Sequence, residues 1–168
     1  MPGIIVGVDG SADSRRALLW AMNEAAARHA PLTVLSVSHC RAITYTEGDL
    51  GLDQMAGEVH ALVDKAVSSL CGPVPPVTVW MMPGSPATEL THAARGADLL
   101  VVGSCGSGGF GRLTLGSVTS QVAHDAPCPV VIIPSSGQPD RWFRCREHDG
   151  QKCAPTRTNA TKPRPRPV

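Results

Sequence analysis

The sequence predicts an α/β domain built on a five-stranded parallel sheet with helices on both faces. Three observations carry this. Five short apolar segments alternate with four segments dense in helix formers, in the order β-α-β-α-β-α-β-α-β. Strands separated by helices of this length imply βαβ crossovers, which make the strands parallel. The fourth apolar segment, "ADLLVVG" at residues 97–103, is continuous rather than alternating, as expected of a strand buried on both faces.

The elements follow in order. "GIIVGVDGS" opens with a β-branched apolar run from Ile4 to Val8 and stops at Asp9-Gly10-Ser11, a turn and helix-start signal. In "ADSRRALLWAMNEAAARHA", Leu18, Met22 and Ala25 recur at helical spacing, giving one face that can pack on a sheet. Pro31 ends that pattern, and Leu32 to Val37 reads as the second strand. A polar connection over 39–50 leads to a second helix, "LDQMAGEVHALVDKAVSSL", with Met55, Val59, Leu62 and Ala66 on one stripe. The third strand is expected from Val77 to Met82. Gly84-Ser85-Pro86 then starts a helix reaching about Arg95; Ser85 suits the cap and Pro86 the first helical position. After the fourth strand and a glycine-rich stretch come a short helix, "SVTSQVAHDA", and a fifth strand in "CPVVIIP", stopped by Pro134.

Length and composition set bounds on this reading. The 168 residues suffice for one α/β domain with a real core, and 42% hydrophobic with 17% charged content fits a globular chain. Aromatics are 4%, so the core must come from Val, Leu, Ile and Ala. No apolar run approaches the roughly 20 residues that span a bilayer. The start "MPGIIVGVDGS" lacks a basic n-region, so no signal peptide is expected and the expected compartment is the cytoplasm. Cysteines stand at 40, 71, 105, 128, 145 and 153 with no C-x-x-C pair, which reads as reduced, structural thiols rather than a zinc site.

Charge divides the chain. Residues 1–134 carry 7 Lys/Arg against 11 Asp/Glu, a net −4, whereas residues 135–168 carry 8 against 3, a net +5. The second part ends "TRTNATKPRPRPV" and has no apolar periodicity. It is expected to be a disordered, solvated tail, with nucleic-acid or membrane contact not expected from charge alone.

Parallel sheets bind ligands beyond the carboxyl ends of their strands, where the strand order reverses. The informative loops are therefore the one at Asp9 and the stretch "GSCGSGGFGRLTLGS", Gly103 to Ser117, with six glycines in fifteen residues. Gly106, Gly108 and Gly111 match G-x-G-x-x-G by count, but they follow the fourth strand and do not open a helix, so the dinucleotide fingerprint does not apply. Gly106 and Gly111 have P-loop spacing, but Arg112 and Leu113 stand where Lys and a hydroxyl are needed. A third spacing remains: Gly103-x2-Gly106-x9-Gly116-Ser117. Glycines there leave backbone N–H groups open to a phosphate, and Gly116-Ser117 opens a helix whose N-terminus favours an anion.

This spacing, together with "IIVGVDGS", "APLTVLSV", "GSPATELTHAARGADLLVVGS" and "GSVTSQVAHDAPCPVVIIP" in order, resembles the ATP-binding branch of the universal stress protein family over about residues 3–134. The resemblance implies a single Rossmann-like domain, with expected strand order 3-2-1-4-5. It implies ATP as ligand, Mg²⁺ contact at Asp9, and a nucleoside lying near Gly7, Val8 and Asp9. The backbone at Val37 would read the adenine edge, and Gly103, Gly106, Gly116, Ser117 and Val118 would surround ribose and phosphates. Asp9 can equally serve as a turn residue capping the first helix, and Ser117 as a plain N-cap. Arg112 can touch a phosphate or stand as an exposed loop arginine. Cys105 departs from relatives, which often carry arginine there.

The resemblance further implies a nucleotide-linked regulatory homodimer formed through strand Pro129–Ile133, acting on protein partners that the sequence does not name. Two alternatives stand beside it. One is slow ATP hydrolysis or self-phosphorylation on Ser104, Ser107 or Ser117, for which no clear general base appears; His124 lies on the following helix. The other is a nucleotide-independent stress scaffold.

Overall fold

Side chains of successive residues in β1 (Ile4–Val8) feed two separate cores. Ile4, Val6 and Val8 face one side and Ile5 the other, the period-2 alternation of a strand with both faces covered. The computed structural model describes residues 3–38, 50–70, 72–106 and 115–135. The expectations for the 39–49 connection, the loop interior 107–114 and the tail beyond 135 lie outside the described residues.

The remaining elements are α1 (Ala12–Arg28), β2 (Leu32–Ser38), α2 (Leu50–Ser68), β3 (Val77–Pro83), α3 (Pro86–Ala93), β4 (Leu99–Gly103), α4 (Ser117–Asp125) and β5 (Val130–Ile133). All strand pairs are parallel, in the order β3-β2-β1-β4-β5. The predicted fold class and strand order are both observed. Leu18, Met22 and Ala25 of α1 are fully buried beside Val59, Val63 and Ala66 of α2 on one sheet face. Leu90 of α3 and Val122 of α4 join Ile5, Leu35, Leu100 and Val102 on the other. Each fully buried Leu, Ile or Met contributes roughly 1.5–3 kcal/mol relative to exposure, so aliphatic residues carry most of these two layers, with the partly buried Trp20 packed against one of them.

Three local expectations are corrected. Met55 and Leu62 of the predicted α2 stripe are half-buried, while Val63 and Leu70 are buried in the core. Ser85 occupies the N-cap position of α3, but its side chain makes no capping bond; Pro86 is at the predicted first turn. Ser117 is the first residue of α4 rather than its cap, because Gly116 holds the extended backbone (φ −60°, ψ 157°) that precedes a helix.

Candidate functional site

The carboxyl ends of β1, β2 and β4 meet where the strand order reverses, and a cavity of about 1000 Å³ opens there. Gly7, Val8 and Asp9 enter it from the end of β1, and Val37 from β2. Gly103 and Gly106 enter from the exit of β4, and Gly116, Ser117 and Val118 from the start of α4. The structure thus brings all nine sequence-predicted residues to one cavity. The sequence did not single out Met55, Glu58 and Leu62 of α2 or Leu115 as lining it. Apart from Glu58, these added residues are apolar, suited to a flat apolar group rather than to phosphate alone.

After β1 the chain turns through Gly10, whose φ of +78° favours glycine. Asp9 Oδ1 accepts the Ser11 N–H at 3.0 Å, an Asx turn, while Ser11 itself caps α1 by accepting the Ser14 N–H at 3.1 Å. Asp9 therefore shapes the turn before α1 without being its N-cap, and it lies exposed on the cavity rim.

The two described ends of the glycine stretch are joined to each other. The Gly116 N–H donates to the Ser104 carbonyl at 2.8 Å, and the buried Thr119 hydroxyl donates to the Gly103 carbonyl at 2.7 Å. These bonds fix the start of α4 beside the end of β4. Gly116, the N-cap residue of α4, has no side chain to cap it, and the first residues Ser117 and Val118 line the cavity. A helix start of this kind presents N–H groups and the positive dipole end to an anion.

The motif glycines are required for different reasons, and none of Gly103, Gly106 and Gly116 has a positive φ. A Cβ on Gly103 would lie 2.8 Å from Asp13 Cβ and 2.9 Å from its backbone carbon; this glycine lets α1 pack against the sheet. A Cβ on Gly106 would lie 2.8 Å from Asp9 Oδ2. At Gly116 the nearest atoms of the described residues are at 3.5 Å, ordinary contact, so packing among the described residues does not demand glycine there. Gly7 in turn makes room for Leu90, whose methyl carbons would be 3.0 and 3.1 Å from a Cβ.

Sequence reasoning missed Asp13. It is 8% exposed, and its Oδ2 accepts the Ser104 hydroxyl at 3.0 Å, the Cys105 N–H at 3.1 Å and the Ser135 hydroxyl. Arg16 pairs with Oδ1. Burial pushes the Asp13 pKa up, but the hydrogen bonds from Ser135, Ser104 and the Cys105 amide, with the Arg16 charge, outweigh it and hold the pKa below the usual 3.8. In sequence this residue reads as an ordinary acidic residue in a first helical turn, and no local signal links it to residues 91 and 122 positions away.

Of the hydroxyls considered for self-phosphorylation, Ser104 is turned to Asp13, Ser117 is exposed at the cavity and Ser107 lies outside the described residues. His124 is exposed and pairs with the adjacent Asp125 at 2.7 Å. Among the described residues no group of three or more His, Cys, Asp or Glu is placed to hold a metal, and no helix is long and apolar enough to cross a membrane.

Comparison with known proteins gives a consistent result. The model of the Universal stress protein family matches residues 2–134. A universal stress protein of Mycolicibacterium smegmatis is 33% identical over 144 residues, covering 81% of this chain and 49% of its own. Universal stress protein Rv2623 of Mycobacterium tuberculosis is 36% identical over 141 residues, covering 78% and 47%. The chain thus spans about half the length of the curated relatives it matches. Among solved structures, universal stress protein UspA from Lactobacillus plantarum superposes with a TM-score of 0.64 at 27% identity, covering 79% of this chain and 97% of that one. A universal stress protein solved in complex with cAMP superposes at 0.58 with 31% identity, covering 80% and 98%. With the family model spanning most of its length and the parallel fold agreeing, the chain belongs to the universal stress protein family.

Proposed function

We propose that the cavity binds an adenine nucleotide and that the chain is a nucleotide-responsive regulator rather than a turnover enzyme. The observation that carries this reading is the N-terminus of α4, which starts from Gly116 and is held beside the β4 exit at a cavity that also has apolar lining from Met55, Leu62 and Leu115. The helix start suits phosphate and the apolar lining suits a base. The 31% identical relative in complex with cAMP supports an adenine nucleotide as the ligand class.

Within this reading ATP is the physiological ligand. Gly7, Val8, Asp9 and Val37 take the nucleoside, and Gly103, Gly106, Gly116, Ser117 and Val118 take the ribose and phosphates. Mg²⁺ fits as a companion of the triphosphate: Mg²⁺ is commonly held by one or two carboxylates plus phosphates, and Asp9 on the cavity rim supplies a carboxylate. Nucleotide binding is read out through a homodimer and further protein partners. β5 is an edge strand with three of its four residues half-exposed, and edge strands need covering. A second copy paired along β5 provides that cover.

The test incubates the protein with radiolabelled ATP and Mg²⁺ and measures bound nucleotide, released phosphate and labelled protein. The reading predicts bound nucleotide with neither steady release nor labelling. Steady phosphate release makes the protein an ATPase, and absence of binding rejects the nucleotide reading.

A further inference from the structure

We propose that Asp13 is a positioning residue for the site, fixing the Gly103–Gly106 turn against α1 and tying that turn to the exit of β5. The inference rests on the nucleotide reading above, because it assigns the turn a fixed conformation in which it meets the phosphate-bearing end of the ligand.

The geometry is that of a three-way anchor. One oxygen, Oδ2, takes donors from two segments far apart in sequence: Ser104 and Cys105 just after β4, and Ser135 just after β5. The Ser104 and Ser135 hydroxyls are themselves 2.9 Å apart, so the two exits are clasped at a single point. Arg16 occupies the other oxygen, which balances the carboxylate charge close to an anion site. Gly103 belongs to the same device. With no Cβ there, α1 approaches until the carboxylate reaches the turn; any side chain would meet Asp13 at 2.8 Å.

An amide at position 13 cannot replace this. Asn has one uncharged acceptor oxygen and two N–H donors, whereas the anchor needs acceptors for three donors and a partner for Arg16. Hydrogen bonds to a charged acceptor are also stronger than neutral ones. In Asp13→Asn the turn therefore loses its anchor while the apolar lining of the cavity stays as it is. Ser135 offers an independent handle, because it contacts Asp13 but does not line the cavity.

The experiment measures calorimetric affinities for ATP and for adenosine in the full chain, for the wild type, Asp13→Asn, Ser135→Ala and the double variant. Asp13→Asn is expected to weaken ATP binding by about tenfold and to change adenosine binding by less than about twofold. Ser135→Ala weakens ATP binding by a smaller factor, and the double variant is no weaker than Asp13→Asn alone, since both act through one carboxylate. Wild-type ATP affinity in both single variants overturns the proposal, as does an equal loss for adenosine. If Asp13→Asn does not fold, Ser135→Ala decides. If the wild type binds no nucleotide, the functional reading fails instead, and amide exchange then tests the anchor alone. Faster exchange at Cys105 in Ser135→Ala, with Val101 unchanged, supports it, and equal exchange overturns it.

Discussion

Replacing Gly103 with alanine separates packing from ligand contact in the glycine motif. The added methyl would sit 2.8 Å from Asp13 Cβ, 2.9 Å from the Asp13 backbone carbon and 3.1 Å from its carbonyl oxygen. Two of these atoms are helix backbone, so no side-chain rotation relieves the overlap and α1 must shift away from β4. Overpacking of this kind costs about 1–3 kcal/mol. A loss near 2 kcal/mol lowers the thermal midpoint of a domain of this size by roughly 4–8 °C. Gly106→Ala is the control, because among the described residues its methyl meets the exposed Asp9 side chain, Oδ2 at 2.8 Å, and no backbone. That carboxylate can give way at the expense of its bond to the Ser11 N–H, so the cost should be about 1 kcal/mol, below that of Gly103→Ala. Thermal and urea unfolding of the three proteins, followed by circular dichroism, give the comparison. A Gly103→Ala midpoint within about a degree of wild type would refute the packing argument, as would an equal loss in Gly106→Ala.

Further predictions concern acid stability, thiol reactivity and assembly. Burial opposes ionisation of Asp13, but bonds from Ser135, Ser104 and the Cys105 amide, with Arg16, hold its folded pKa below 3.8; it thus stabilises the fold above that value, and the contribution is lost as pH falls through the lower folded pKa. Urea midpoints from about pH 6 to pH 2 should therefore fall less steeply for Asp13→Asn than for wild type, and parallel curves would contradict the assignment. Burial raises the Cys128 thiol pKa, with Asp98 adding to the rise and a backbone hydrogen bond from Leu100 opposing it. Site-resolved mass spectrometry should find Cys128 alkylated more slowly at about pH 8 than a model peptide thiol; an equal rate contradicts this. The carbonyls of Pro129 and Ile133 accept bonds from the chain at β4, so the backbone groups of Val130 face the open edge. Val130→Pro should shift a wild-type dimer toward monomer in sedimentation velocity, and an unchanged dimer would exclude β5 as the interface.

The layers of this fold were legible in the sequence because burial imposes a period. Ile4 to Val8, the continuous run at Leu99–Val102 and the Leu18–Met22–Ala25 stripe each occupy the environment their pattern implies. The α2 stripe was less legible because that helix serves two surfaces, with Val63 and Ala66 in the core, Met55 at the cavity, and Val59 and Leu62 shared between the two. The glycines of the motif spacing line one cavity, but the spacing could not distinguish why each glycine is there. Gly103 answers to Asp13, Gly106 to Asp9, and Gly116 to nothing closer than 3.5 Å among the described residues. Asp13 was invisible for a different reason: its partners are brought to it by the sheet order, which sets the exits of β4 and β5 beside α1.

The most direct test follows backbone amides by ¹⁵N–¹H spectra while ATP, AMP, cAMP and adenosine are added in turn. Phosphate at the start of α4 predicts saturable shifts at Gly116, Ser117 and Val118 with the three phosphate-bearing ligands and not with adenosine. Val37 and Met55, by contrast, should respond to all four. Shifts absent from the start of α4, or the same there with adenosine as with AMP, would contradict the account.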